Sequence, residues 1–238
     1  MPQPSQSTST GASSARLNRE LIITTALAQI DRGGPQGLSM RSLAQELGVE
    51  AMSLYRYVNG KEDLLEGVVD LLLGGLPARL DAELSEHWQG YLQSVAHEVR
   101  RIAMDHPKAF PLIATRHPAA PWLRPPLRSV EVVDAFLAAL IGHGFSDAQA
   151  VGAYRSFTSF LLGQLLLEAA VRGAATGPVS EPLDEGDAEI PEGDGRRPLD
   201  DAPEVVRLRD LLSEDRSDEE FEVSLEALLD RLEDRLSR

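Results

Sequence analysis

Apolar residues recur along most of this chain at three- and four-residue intervals, the period of a helix with one buried face. Nowhere do they alternate with the two-residue period of a strand over more than a few positions. Leu17, Leu21, Ile22, Ala28 and Ile30 predict a first helix over 17–30, stopped by Gly33-Gly34-Pro35. Ser39 offers a hydroxyl as N-cap for a short helix ending at Leu47, with Gly48 as the stop. A second short helical segment follows over 51–57, and Asn59-Gly60 turns the chain. A long apolar-rich helix then runs from Lys61 to about Leu76, closed by Pro77. Further helical patterns cover about 84–105, 107–114, 124–143 and 146–171, and later about 204–213 and 218–237. In the last of these, Phe221, Leu225, Leu228, Leu232 and Leu236 make one apolar stripe with charge on the other faces. An all-α protein without tandem repeats is expected.

Composition adds two segments that fold on no such pattern. Residues 1–15 are uncharged and rich in Ser, Thr, Pro, Gly and Gln, as in a disordered tail. Residues 172–203 hold five Gly, five Pro and nine acidic residues, which predicts a mobile acidic loop. Charge is divided unevenly. The chain of 238 residues carries a net −15. Residues 1–61 have six basic groups against four acidic (+2), 62–180 nine against thirteen (−4), and 181–238 eight against twenty-one (−13). The acidity therefore belongs to the C-terminal part and does not bar the N-terminal part from an anionic partner. The absence of cysteine excludes a disulfide framework, a thiolate metal site and a cysteine nucleophile. No apolar run reaches the roughly 18 residues of a membrane span, and the first fifteen residues lack the pattern of a secretory signal. A soluble, cytoplasmic protein is expected.

The most specific pattern lies between Gly37 and Tyr55. It reads as two short helices about a tight turn. Ala44 is small where the helices must cross closely, and Gly48 stands where the chain needs a left-handed backbone. Leu43, Leu47, Val49, Leu54 and Tyr57 fall at inward positions. This is the helix-turn-helix arrangement, whose second helix enters the major groove of DNA. Lys61 begins the next helix, where backbone N–H groups and the dipole already favour an anion, so a lysine there suits a phosphate. Tyr55 can pack its ring and leave its hydroxyl free for the same purpose.

The run Leu47-Gly48-Val49-Glu50-Ala51-Met52-Ser53-Leu54-Tyr55, with Arg41 and Lys61 at their offsets, resembles the tetracycline-repressor family of bacterial transcriptional regulators over 17–76. The resemblance implies a three-helix DNA-binding domain over 16–61 and a helical effector-binding and dimerisation domain over 62–238. It implies that Arg41 contacts a base from the first helix of the motif. Ala51, Met52 and Ser53 would face base edges, and Tyr55, Tyr57 and Lys61 would hold phosphates. Ala51 and Met52 stand where tetracycline-responsive members carry glutamine and proline. They can touch a thymine methyl but donate nothing to a base, so a different operator is expected.

The resemblance continues more weakly through Trp88-Gln89, Thr115-Arg116, the helix around Gly163 and the acidic loop before the last helix. It implies a ligand cavity among the middle helices and a homodimer through about 146–171 and 218–237. Polar and metal-holding groups of tetracycline-responsive members fall here on Pro77, Val95, Val99 and Leu112, while Thr115 and Arg116 remain. A metal-free cavity for a small, largely apolar effector is therefore expected, with no cofactor. Trp88, Trp122, Tyr154 and Phe157 either line that cavity or pack as ordinary core. Independently, Phe157, Phe160, Leu161, Leu162, Leu165, Leu166 and Leu167 run nearly all round one helix, which demands burial on more than one side. A dimer supplies that, and so does a central helix in a monomer.

His87, His97, His106, His117 and His143 include no i, i+4 pair and no carboxylate at ligand spacing, so no metal site is expected. His106, before Pro107, is placed to cap helix carbonyls. Two other readings are an all-helical enzyme and an acidic helical adaptor acting through 181–222. No nucleophile with an adjacent base or Gly-rich phosphate loop supports the first, and the second leaves the motif idle. The expectation is a ligand-responsive homodimeric repressor bound to a palindromic operator. Its effector would shift the helix over 61–76, the only rigid link expected between cavity and DNA-binding domain.

Overall fold

The computed structural model describes residues 17–175, 208 and 216–236, the side chains of 235 and 236 apart. Regular structure among the described residues is helical, with no strand, in agreement with the all-α pattern. The expected tail over 1–15, the acidic loop beyond 175 and the helix over 204–213 lie outside the described residues, apart from residue 208.

The N-terminal unit opens with α1 (Arg19–Gly33), where the Asn18 side chain accepts the Leu21 N–H at 2.7 Å. Helix α2 (Met40–Leu47) is started by a reciprocal cap: Ser39 Oγ accepts the Ser42 N–H, and Ser42 Oγ accepts the Ser39 N–H. It ends at Gly48, whose φ of +67° is the left-handed conformation that the sequence pattern requires. Helix α3 (Ala51–Leu54) is shorter than the 51–57 segment expected, because the chain turns at once through Tyr55–Tyr57. Ile22, Leu43, Ala44, Leu54 and Val58 close a core shared with α4 (Lys61–Leu73).

Helix α4 does not reach Leu76. It stops at Leu73, and α5 (Leu76–Arg79) begins after Gly74-Gly75, with Gly75 at φ +71°. Pro77 sits in the first turn of α5 instead of terminating α4. The first turn of a helix needs no N–H from that residue, so proline is a starter there.

The C-terminal body is built from α6 (Trp88–Asp105), α7 (Val130–Gly142), α8 (Asp147–Val171) and α9 (Ser217–Leu236). The helix expected over 107–114 is reduced to a 3-10 turn, Phe110–Leu112, with Pro107 ahead of it and Pro111 inside it. Helix α7 starts at 130 and not 124, since Pro125-Pro126 disfavours helical backbone and Ser129 then caps the N-terminus. In α8 the capping box is Ser146 with Gln149. Helix α9 buries Phe221, Leu225, Leu229 and Leu232 against the body, so the stripe runs through Leu229 where Leu228 was expected. Leu228 is half-buried, and the Leu236 side chain is outside the described residues.

Candidate nucleic-acid interface and ligand cavity

Function at the N-terminal end requires side chains that the core does not consume. On α2, Arg41 is exposed. On α3, Met52 is 74% exposed while Ala51 and Ser53 are half-buried beside the anchor Leu54. Tyr55, Tyr57 and Lys61 are exposed on the following turn and at the head of α4. Tyr57 is therefore not the inward residue that its spacing suggested, and the buried position of that turn belongs to Val58.

Charge here is sorted by pairing. Arg32 Nη2 meets Glu46 Oε2 at 2.6 Å, and Arg19 Nη2 meets Asp63 Oδ1 at 2.7 Å. The Gln29 amide hydrogen bond, then Arg32, hold the Glu46 carboxyl below its usual range. Burial pulls Asp63 upward, but the Asn59 N–H and Arg19 outweigh it and lower the carboxyl. Arg41, Arg56 and Lys61 have no ion pair among the described residues and carry the basic character of this end. Sequence reasoning passed over Arg56, although it counted toward the local +2.

A narrow cavity of about 50 Å³ lies inside the body. That is room for a few water molecules, well short of the several hundred Å³ of a pocket filled by a drug-sized ligand. Four expected residues line it: Val95 and Val99 of α6, Tyr154 and Phe157 of α8. Leu73, Leu76, Ile113, Leu127, Val132 and Phe136 complete most of the wall, and Thr158 adds a hydroxyl. Phe136 stacks on Phe157 at 5.5 Å and meets Tyr154 at 5.9 Å near edge-on. The Tyr154 hydroxyl donates to the Pro125 carbonyl at 3.0 Å, and burial pushes its pKa up to about 12.

The other five expected residues lie off the wall. Trp88 packs edge-on against Phe145 at 5.5 Å as core. Leu112 is buried but does not reach the cavity. Thr115 Oγ1 donates to the Leu112 carbonyl and accepts from Arg128 Nη1. Arg116 is exposed. Trp122 is 73% exposed over an outer depression with Leu123 and Leu137. Leu112, Thr115 and Arg116 cluster after α6, where the chain runs in a 3-10 turn and further turns instead of a helix.

Among the described residues no three His, Asp or Glu side chains converge as a metal site. Histidines instead pair singly with carboxylates: His97 with Glu222 at 3.0 Å, His106 with Asp31 at 2.8 Å, His117 with Glu66 at 3.1 Å. His106 therefore reaches a side chain of α1, where carbonyl capping was expected. With the Lys108 Nζ donation to the Arg32 carbonyl at 2.6 Å and the Arg128–Glu62 pair at 2.8 Å, it ties the body to the N-terminal unit. The expectation that the 61–76 helix is the only rigid link is corrected twice over, since that helix is broken and other ties exist.

The family model for the tetR family of bacterial regulatory proteins matches residues 22–68, and that for the tetracyclin repressor-like C-terminal domain matches 82–236. The chain belongs to the TetR family. A transcriptional regulator of Saccharopolyspora erythraea is 35% identical over 156 residues, 66% of this chain, which spans 63% of that relative. The class E tetracycline repressor of Escherichia coli is 31% identical over 66% of this chain and 71% of its own. The crystal structure of a possible TetR family regulator from Streptomyces coelicolor superposes with TM-score 0.67 at 28% identity, covering 93% of this chain and all of the other. TetR members are transcriptional regulators, and no helix among the described residues is long and apolar enough to cross a membrane.

Proposed function

We propose that the protein is a cytoplasmic homodimeric repressor that holds a palindromic operator and releases it when a small, largely apolar effector enters the cavity. The observation that carries this reading is the division of the chain. Three cations without an ion pair among the described residues stand with exposed Met52, Tyr55 and Tyr57 around α2 and α3, while a narrow aromatic and aliphatic cavity lies in the body. Arg41, Ala51, Met52 and Ser53 face bases in this reading, and Tyr55, Tyr57 and Lys61 hold phosphates, with 16–61 as the DNA-binding unit. The aliphatic wall selects against charged ligands, whose desolvation no nearby group offsets. The present volume requires the cavity to widen around an effector. Leu73 and Leu76, on either side of the Gly74-Gly75 break, are placed to move when it does.

For the dimer, α8 leaves Leu167 68% and Val171 88% exposed, with Val223 of α9 at 59%. These are apolar positions at the helix ends that the protomer itself does not cover. A two-fold pairing through them would present two recognition helices to half-sites spaced by the DNA turn or a multiple of it. In vitro selection from a random duplex pool tests the whole reading. An enriched inverted repeat is expected, and enrichment of no sequence over random DNA would overturn it.

A further inference from the structure

Arg128 and Glu168 are the buried charged residues among the described ones; Glu168 pairs with Arg100 of α6, whereas Arg128 stands between the cavity wall and α4. It joins the cavity wall at three points through its backbone and its neighbours. Its N–H donates to the carbonyl of Ile113, which lines the cavity, at 3.0 Å. The preceding residue, Leu127, lines the cavity too. The following residue, Ser129, caps α7 by accepting the Val132 N–H, and Val132 and Val133 are further wall residues. From this junction the guanidinium reaches outward. Nη1 donates to Thr115 Oγ1 at 3.2 Å and Nη2 to Glu62 Oε2 at 2.8 Å. Glu62 is the second residue of α4, next to Lys61. The Arg128 side chain is only 7% exposed, and its Nε has no partner among the described residues. A buried donor without an acceptor carries a desolvation cost, so the side chain is kept extended toward Glu62 in spite of it.

We propose that Arg128 is a positioning residue: a strut that couples the cavity wall directly to the DNA-facing end of α4. This rests on the regulator reading above. A push transmitted from Leu73 or Leu76 must pass along the whole of α4 from an end loosened by Gly74-Gly75. The Arg128 route reaches Glu62 in one side chain. The planar guanidinium fork serves Thr115 and Glu62 together, which a lysine cannot do in the same geometry. Coupling of two sites is reciprocal. DNA clamping Lys61 therefore fixes Glu62 and, through Arg128, stiffens the wall around 127–133.

Amide hydrogen exchange of the full-length protein, with and without a duplex selected from the random pool, reads this without an effector in hand. Duplex at saturation should slow exchange across 127–133 several-fold in the wild type. In Glu62→Gln, a change at an exposed side chain that leaves the fold intact, the duplex should still bind while that slowing disappears. Arg128→Lys should lose it as well. Slowing of equal size in Glu62→Gln overturns the proposal, and if it disappears only in Glu66→Gln the coupling belongs to His117 instead. No slowing in the wild type with duplex bound also overturns it. Failure to select any duplex overturns the regulator reading itself, and the strut with it.

Discussion

The two ends of α4 show how differently this molecule treats a carboxylate, and with it DNA and effector. At the DNA-facing end, Asp63 accepts from the Asn59 N–H and from Arg19, which together hold its carboxyl low despite partial burial. At the cavity end, the Asp70 carboxylate has no hydrogen bond or ion pair among the described residues. Burial, then Glu131 and Glu66, raise it. In the N-terminal unit Asp63 and Glu46 are matched by Arg19 and Arg32, while Arg41, Arg56 and Lys61 have no ion pair among the described residues. The body encloses an apolar cavity and pairs carboxylates such as Glu98 with Arg101 and Glu168 with Arg100, while the Asp70 carboxylate beside it has no such partner among the described residues. Binding a polyanion depends on exposed cations at short sequence spacing, whereas enclosing an apolar ligand depends on side chains gathered from distant segments.

The largest break in this comparison comes from the cavity. Phe157→Ala removes a ring stacked on Phe136 and should destabilise the protein by about 3–5 kcal/mol, measured by chemical unfolding. If operator binding by the remaining folded protein stays near wild type, the two regions are energetically separate at that position. Next comes Arg41→Ala, expected to lose about 1–3 kcal/mol of discrimination at one base pair while leaving unfolding unchanged. Binding to an operator series substituted base by base measures it, and a uniform loss at every position would count against base contact. Lys61→Ala should weaken binding to all sequences alike and lower the salt dependence by about one phosphate contact. Ser39→Ala removes the reciprocal cap of α2 and should cost about 1 kcal/mol in unfolding.

The smallest effects separate the carboxylates of α4 by sign. Asp63 is lowered in the fold, so it adds stability above its ordinary value of 3.8 that is lost as pH falls further. Asp63→Asn should therefore flatten the acid limb of the stability profile below about pH 4. Asp70 is raised, so it subtracts stability as pH climbs past 3.8 through its folded value. Asp70→Asn should slightly stabilise the protein at neutral pH. Unfolding curves collected from pH 3 to 7 decide both, and equal signs for the two variants would contradict the contrast.

How much was legible in the sequence follows the same division. Ser39, Ala44 and Gly48 act on neighbours within a few residues, so the caps and turn of the helix-turn-helix were readable, whereas Tyr57, given as inward, and Arg56, passed over, are both exposed. Val95, Val99, Tyr154 and Phe157 line the cavity, each on a helix that the sequence pattern predicted. Leu112, Thr115, Arg116 and Trp122 lie off the cavity wall: the first three were placed by resemblance alone, and they and Trp122 fall in a proline-rich stretch of turns where no helical pattern fixes which way a side chain faces. Pro77 misled in the opposite direction, being taken for a stop where it starts α5. Arg128 carried no signal at all. Within a presumed helix over 124–143 it reads as one more surface cation, and only the true start of α7 at Val130 turns it inward toward Thr115 and Glu62.

Fluorescence anisotropy of the full-length protein on the selected duplex and on a scrambled duplex, across a salt series, tests most directly that the N-terminal end is a DNA-reading surface. Tighter binding to the selected duplex is expected, with affinity falling steeply as salt rises, because phosphate contacts release condensed counterions. Equal affinity for both duplexes, or no binding even at low salt, would contradict it.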